Sequence, residues 1–237
     1  AKDYTITTSP ITIPAGSLSA NITITVNNDA LFELDETVII TMDTPTNANQ
    51  GAITIHTATI TDDDSGNKPT VAFTLSSQSK AENIGTMTVT AELNKTSGAD
   101  VSVPFTLSGT ATEVSDYTIT PSPITITAGS LSANITITVN NDALFELDET
   151  VIITMGTPTN ANKGAIDVHT ATITDDDSGN KPTVSFTSSN QSSPENIGTM
   201  IVTVELDKVS GADVSVAFTL SGTATEVSDY TITPSPI

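Results

Sequence analysis

Apolar and polar residues alternate with a period of two along most of this chain, the pattern of strands with one face in a core and one in water. Thr86 to Leu93 reads Thr-Met-Thr-Val-Thr-Ala-Glu-Leu, and Ser132 to Val139 reads Ser-Ala-Asn-Ile-Thr-Ile-Thr-Val. Similar runs cover Val71 to Leu75, Val101 to Ser108, Tyr117 to Thr120, Glu149 to Met155 and His169 to Thr174. Turn clusters separate them, among them Thr96-Ser97-Gly98-Ala99-Asp100, Pro121-Ser122-Pro123 and Thr157-Pro158-Thr159-Asn160. Short strands punctuated at this spacing predict an antiparallel β-sandwich. No segment carries the 3.6-residue period of an amphipathic helix, and no apolar run approaches the roughly 18 residues of a membrane span.

The pattern repeats. Asp-Tyr occurs at Asp3-Tyr4, Asp116-Tyr117 and Asp229-Tyr230, a spacing of 113 residues each time. Residues 3–124 align without a gap on 116–237, with 16 differences in 122 pairs. Substitutions such as Thr54/Asp167, Pro14/Thr127 and Lys80/Ser193 fall mostly on polar or turn positions. A period of this length is a domain, so the chain is a tandem array rather than a solenoid of short units. Seven strands fit one period. The rhythm restarts at Asp175-Asp176-Asp177-Ser178-Gly179-Asn180-Lys181-Pro182, where Ser, Gly and Pro make a short joint. Residues 68–180 are therefore expected to form one complete module. Residues 1–67 carry the last three strands of the preceding one, and 181–237 the first four of the next.

Composition sharpens this reading. Threonine occurs 45 times among 237 residues, a β-branched bias that suits pleated surfaces. Seven Lys, no Arg and 28 acidic residues give a net charge of -21. Nucleic acid and anionic membranes both need a basic footprint, so neither is an expected partner, and cations are. The absence of cysteine excludes disulfides, thiolate metal sites and thiol nucleophiles. The chain opens Ala-Lys-Asp-Tyr without an initiator Met or an apolar leader, so any targeting segment is expected to lie outside this sequence.

Four motifs in order resemble the Calx-beta domain, an immunoglobulin-like sandwich of sodium/calcium exchangers and, in tandem, of large bacterial surface proteins. They are Ala81-Glu82-Asn83-Ile84-Gly85-Thr86, Gly109-Thr110-Ala111-Thr112 with Ser115-Asp116-Tyr117, Asn140-Asn141-Asp142-Ala143-Leu144-Phe145-Glu146-Leu147-Asp148-Glu149, and Asp175-Asp176-Asp177. The resemblance covers essentially the whole chain. It implies tandem seven-stranded immunoglobulin-like sandwiches, an all-β fold, that bind Ca2+ at one pole.

The residues point the same way. Carboxylates gathered from four loops at one pole repel one another by roughly 4 kcal/mol per close pair at an effective dielectric near 20, unless a cation neutralises them. Calcium accepts six to eight oxygens in loose geometry and suits such a set better than magnesium does. Carried over from the resemblance, the metal candidates of the complete module are Glu82, Asp116, Asp142, Glu146, Glu149, Asp175, Asp176 and Asp177. The first half-module retains Asp3, Asp29, Glu33, Glu36, Asp62, Asp63 and Asp64, and the last retains Glu195 and Asp229. Asn141 stands where calcium-sensing relatives often have Asp, which suggests fewer ions or weaker binding.

Other chemistry finds no support. Asp62-Asp63-Asp64-Ser65-Gly66 fails as an EF-hand, because its Gly comes one position early and position twelve is Phe73. His56 and His169 occupy one repeat position and read as strand-surface residues. With one His per module and no Gly-x-Ser-x-Gly elbow there is no argument for an enzyme. Tyr4, Tyr117 and Tyr230 are expected to plug the core beside the Asp, with Phe73, Phe105 and Phe145 inside it. Sequons at Asn21, Asn94, Asn134 and Asn190 are close to the chance expectation for such a composition. The expected function is that of a calcium-stiffened spacer in a long extracellular adhesin or filament at a bacterial surface. Neighbouring copies would meet head to tail and complete the half-modules. The alternative is a regulatory calcium-sensing module.

Overall fold

β-branched residues at every second position commit the chain to strands, and the computed structural model, which describes residues 3–236, is almost entirely strand and turn. Ala1 and Lys2 of the opening tetrapeptide, and Ile237 closing the third Asp-Tyr segment, lie outside the described residues. Four strands precede the complete module: β1 (Tyr4–Ile6), β2 (Ile24–Val26), β3 (Glu36–Thr41) and β4 (Ile55–Ile60). They form two antiparallel pairs, β1 with β2 and β3 with β4.

The complete module contains β5 (Thr70–Phe73), β6 (Ser77–Ala81), β7 (Thr86–Leu93), β8 (Val101–Val103), β9 (Phe105–Gly109), β10 (Tyr117–Ile119), β11 (Ile124–Ile126), β12 (Ser132–Val139), β13 (Glu149–Met155), β14 (Asn162–Lys163) and β15 (Val168–Thr174). One sheet has the order β10-β12-β7-β5-β14 and the facing sheet β6-β15-β13-β9, with β11 paired to β8 beside them. All seven predicted strands are present, but the count is too low. The first ends at Phe73 as β5, and β6, which no predicted run covers, follows it in the other sheet. Val101 to Ser108 splits at Pro104, which has no N–H to continue a ladder, so β8 pairs with β11 and β9 with β13. β11 and β14 are three and two residues long, too short to show a period.

Alternation decides the core. In β7, Met87, Val89, Ala91 and Leu93 are buried while Thr86, Thr88 and Glu92 face water. They pack with Phe73, Phe105, Ile135, Ile137, Val151, Ile153 and Met155 from both sheets, and Tyr117 closes one end as expected. Tyr4 and Tyr230, only half-buried in the incomplete modules, do not join the core, and two further expectations fail. His169 is buried rather than on the strand surface, because it shares the inward face of β15 with Ala171 and Ile173 and packs against Phe73 of the facing sheet. Its Nδ1 lies 2.7 Å from Leu75 O and therefore carries the proton, while Nε2 has no partner, and the ring stands edge-on to Phe73. Its repeat mate His56 is exposed. Phe145 is only half-buried and lies outside the core, with Lys181 Nζ 5.1 Å above its ring.

The last segment is less regular than predicted. Only β16 (Val184–Phe186) and β17 (Val204–Leu206) form there, paired antiparallel. The equivalents of β6 and β9 lack strand geometry because their partners, β15 and β13, belong to the other half of a module. Burial records the same incompleteness: Val89 is 2% exposed and Val202, one period later, 62%.

Candidate metal centre

Strand register builds an acidic recess at one pole of the complete module. The single 3-10 turn Glu82–Ile84 ends at Gly85, whose φ of 82° lets the chain turn into β7. Gly85 O accepts from Val139 N at 2.9 Å, which fixes that turn beside the end of β12. Glu82 is consequently buried, and its Oε1 accepts from Asp142 N at 2.7 Å in the loop after β12. Asp116 immediately precedes β10, whose Tyr117 pairs with Val139, so Asp116 O accepts from Asn140 N at 2.9 Å. Glu149 opens β13 opposite Ile173, two residues before Asp175. Glu146 comes from the loop between β12 and β13.

One carboxylate oxygen from each of Asp116, Glu146 and Glu149 lies within 4.8 Å of the others. Glu82, Asn140, Leu147, Ile173 and Asp175 complete the walls. Among the described residues the one ion pair is Lys163–Asp167, so no lysine balances this charge. Three of the recess carboxyls are shifted towards higher pKa in consequence. Burial first, then a hydrogen bond with Asp116 and the charges of Asp116, Glu146 and Glu82, push Glu149 up to about 7. Burial also raises Glu146, aided by the charges of Asp142, Asp116, Glu82 and Asp175. Glu82 is raised chiefly by burial, against the lowering effect of its bond from Asp142 N.

The predicted residues thus divide. Glu82, Asp116, Glu146, Glu149 and Asp175 share the recess. Asp142 flanks it, with Oδ1 accepting from Leu144 N at 2.7 Å. Asp176 accepts from Asn83 Nδ2. Asp177 is turned to the linker, where its Oδ1 accepts from Asn180 Nδ2 at 2.8 Å. In the first half-module Asp3, Asp29, Glu33, Glu36, Asp62, Asp63 and Asp64 all line one recess. Burial, then Asp29, Asp3 and Glu36, raises Glu33. In the last, Glu195 sits on an exposed turn and Asp229 Oδ2 accepts from Thr225 N at 2.7 Å. Neither joins a third acid, since Asp116, Glu146 and Glu149 form the one such tight trio among the described residues.

Asn140 was missed by the sequence reading. Its Nδ2 donates to Val114 O and Ser115 O at 2.8 and 2.9 Å, pinning the segment that carries Asp116. Its place before Asn141-Asp142 was the available signal. Val114, at φ 80°, is a β-branched residue in the left-handed region, the one such residue in the complete module's Asp116 segment. The oxygen-only donor set fits a hard divalent cation, with Glu82, Asp116, Glu146, Glu149 and Asp175 as the residues that would hold it.

A family model described as the Calx-beta domain matches three times, over residues 1–66, 64–178 and 176–235. A comparison with curated proteins found no match. Among solved structures, the chain is similar to one described as CBD12 from CALX1.2, at 23% identity and a TM-score of 0.42 over 46% of this chain and 46% of that one. The calcium binding domain CBD12 of CALX1.1 matches at 25% identity and a TM-score of 0.42, over 56% and 55%. The apo-form Calx CBD1 domain matches at 23% and 0.42, over 46% and 98%. The chain thus spans about half the length of the CBD12 structures it resembles.

Proposed function

Because the chain belongs to the Calx-beta family, whose model matches it over nearly its whole length, we propose that it is a calcium-stiffened structural repeat of a long extracellular adhesin or filament at a bacterial surface. In this reading the modules run 1–67, 68–180 and 181–237, and they act as rigid spacers without catalytic activity. Calcium bound by Glu82, Asp116, Glu146, Glu149 and Asp175 neutralises the pole that faces the next module.

The observation that carries the reading is that the same joint is built twice. Phe32 O accepts from Gly98 N and Phe145 O from Gly211 N, each at 2.9 Å. Lys68 and Lys181 each stand 5.1 Å over those phenylalanine rings. Asn67 and Asn180, the last residues of their modules, each tie the linker back to a carbonyl of their own module, at Ala30 and Ala143. A joint made of identical contacts propagates one fixed angle, which is what a spacer needs. Neighbouring copies of the repeat follow one another head to tail by the same logic.

A regulatory calcium sensor is the second reading, favoured by the position of the acidic recess directly against a joint. Calorimetric calcium titration separates the two. Sensors bind at about 10⁻⁷–10⁻⁵ M and extracellular modules at about 10⁻⁴–10⁻³ M. A midpoint in the upper range, with small-angle scattering showing an elongated particle in calcium, supports the spacer. A midpoint near 10⁻⁶ M with a large change of shape supports the sensor.

A further inference from the structure

The turn that docks each module onto its predecessor contains a glycine for which backbone conformation gives no reason. Gly98 and Gly211 do not have positive φ, unlike Gly85, Gly109 or Gly129. Space is the reason. A β-carbon on Gly211 would lie 2.5 Å from Glu146 Cγ and 2.8 Å from Cδ, with Oε1 closer still. One on Gly98 would lie 2.5 Å from Glu33 Oε1 and 2.9 Å from Cδ, with Cγ closer still. Real β-carbons do not approach other atoms this closely, so a side chain here must displace the glutamate. Glu33 and Glu146 occupy one repeat position, and Glu146 is one of the three acids whose oxygens converge in the recess.

The surrounding turn is held in place. Ser97 is buried, and its Oγ accepts from Ala99 N at 3.1 Å. At the other joint Ser210 Oγ accepts from Ala212 N at 3.2 Å. With the bonds from Gly98 N and Gly211 N to the preceding carbonyls, the glycine α-carbon becomes a fixed wall against the carboxylate-bearing side chain.

The geometry points to Gly98 and Gly211 as positioning residues: each holds the Glu33 or Glu146 carboxylate of the module before it in the acidic recess, so that one module's cation site is finished by the next module's turn. This rests on the calcium reading above for the identity of the cation, but not for the contact itself. A methyl group at either glycine meets the far part of a flexible side chain rather than backbone. Substitution should therefore move a ligand without unfolding the module.

The test uses the full chain with Gly211→Ala, Gly98→Ala and, as a control, Gly179→Ala in the linker, where a β-carbon meets nothing within 4 Å. Gly211→Ala is expected to abolish the nuclear Overhauser contact between the Gly211 α-protons and Glu146 γ-protons in metal-free protein. It should also weaken calcium binding at the complete module at least about tenfold, the scale of lost outer-shell support. Gly98→Ala should do the same to the first half-module's site, and Gly179→Ala should do neither. In a Glu146→Gln background the Gly211→Ala penalty should vanish, because both changes act through one carboxylate. Wild-type affinity in Gly211→Ala, or a full penalty persisting beside Glu146→Gln, would overturn the proposal. A wild-type chain that binds no calcium rejects the cation reading instead, and the contact is then decided by the Overhauser effect, whose absence in the wild type overturns it.

Discussion

Glu149 shows how one side chain couples charge, burial and ligand. Its carboxyl titrates at about 7 when folded, chiefly because it is buried, and near the ordinary 4.5 when unfolded. The folded state therefore binds that proton more tightly. The stabilisation is complete below about 4.5 and is lost as pH rises through 7. Glu146 and Glu82 are raised too and act in the same direction. Metal-free protein should accordingly melt at a lower temperature at pH 8 than at pH 5, and calcium, which needs the deprotonated acids, should protect far more at pH 8. Glu149→Gln should flatten the metal-free pH slope while weakening calcium binding. Scanning calorimetry in chelator and in calcium at both pH values checks this, and a metal-free melting temperature that climbs with pH would contradict it.

At the scale of elements, near-identical strands behave differently according to what covers them. Ile135 in β12 is completely buried, whereas Ile22, its repeat mate, is 42% exposed because residues 3–67 supply no counterpart of β7. Ile135→Ala should cost about 2–5 kcal/mol in the unfolding transition of the complete module. Ile22→Ala should change stability by no more than about 0.5 kcal/mol in the monomer. Urea denaturation of the two variants makes the comparison, and equal effects would show that the half-module packs against something else.

Across the whole molecule, both half-modules leave apolar residues exposed, Ile22 in one and Val202 in the other. Met87 is 2% exposed and Met200 47%, and the strands that bury Met87 in the complete module have their counterparts at the opposite end of the chain. Head-to-tail association should therefore be saturable and specific. Val202→Asp should disable one end and Ile22→Asp the other, leaving each variant monomeric while a mixture forms a one-to-one dimer in analytical ultracentrifugation. Indefinite aggregation by either variant alone would argue for non-specific stickiness. Calcium held at a hundred times its dissociation constant should add about 2.7 kcal/mol to the module that binds it. Superimposable melting curves in calcium and chelator would remove calcium from the account. With a net charge of -21, the chain should pass DNA resins even at low salt, and salt-sensitive retention would refute that.

Much of this architecture was legible along the chain. Period-two alternation is a local property, so β7, β12 and β13 appear with their predicted bounds, and self-alignment exposed the repeat because it needs no structure at all. The acids were legible as loop residues of a known pattern; five of them line one recess, and three of those, Asp116, Glu146 and Glu149, bring their oxygens together. What folding decided was everything that depends on a partner distant in sequence. His169 shares the inward face of β15 with Ala171 and Ile173, but its repeat mate His56 is exposed, so burial there was decided by the facing sheet that carries Phe73. Pro104 divides one apparent strand between two ladders. Phe145 and Glu146 face the turn of the following module rather than their own core, so the roles of Gly98 and Gly211 exist only between modules. Local sequence sets which face of a strand is apolar, but burial is a relation between two surfaces, and the second surface belongs to other strands of the chain.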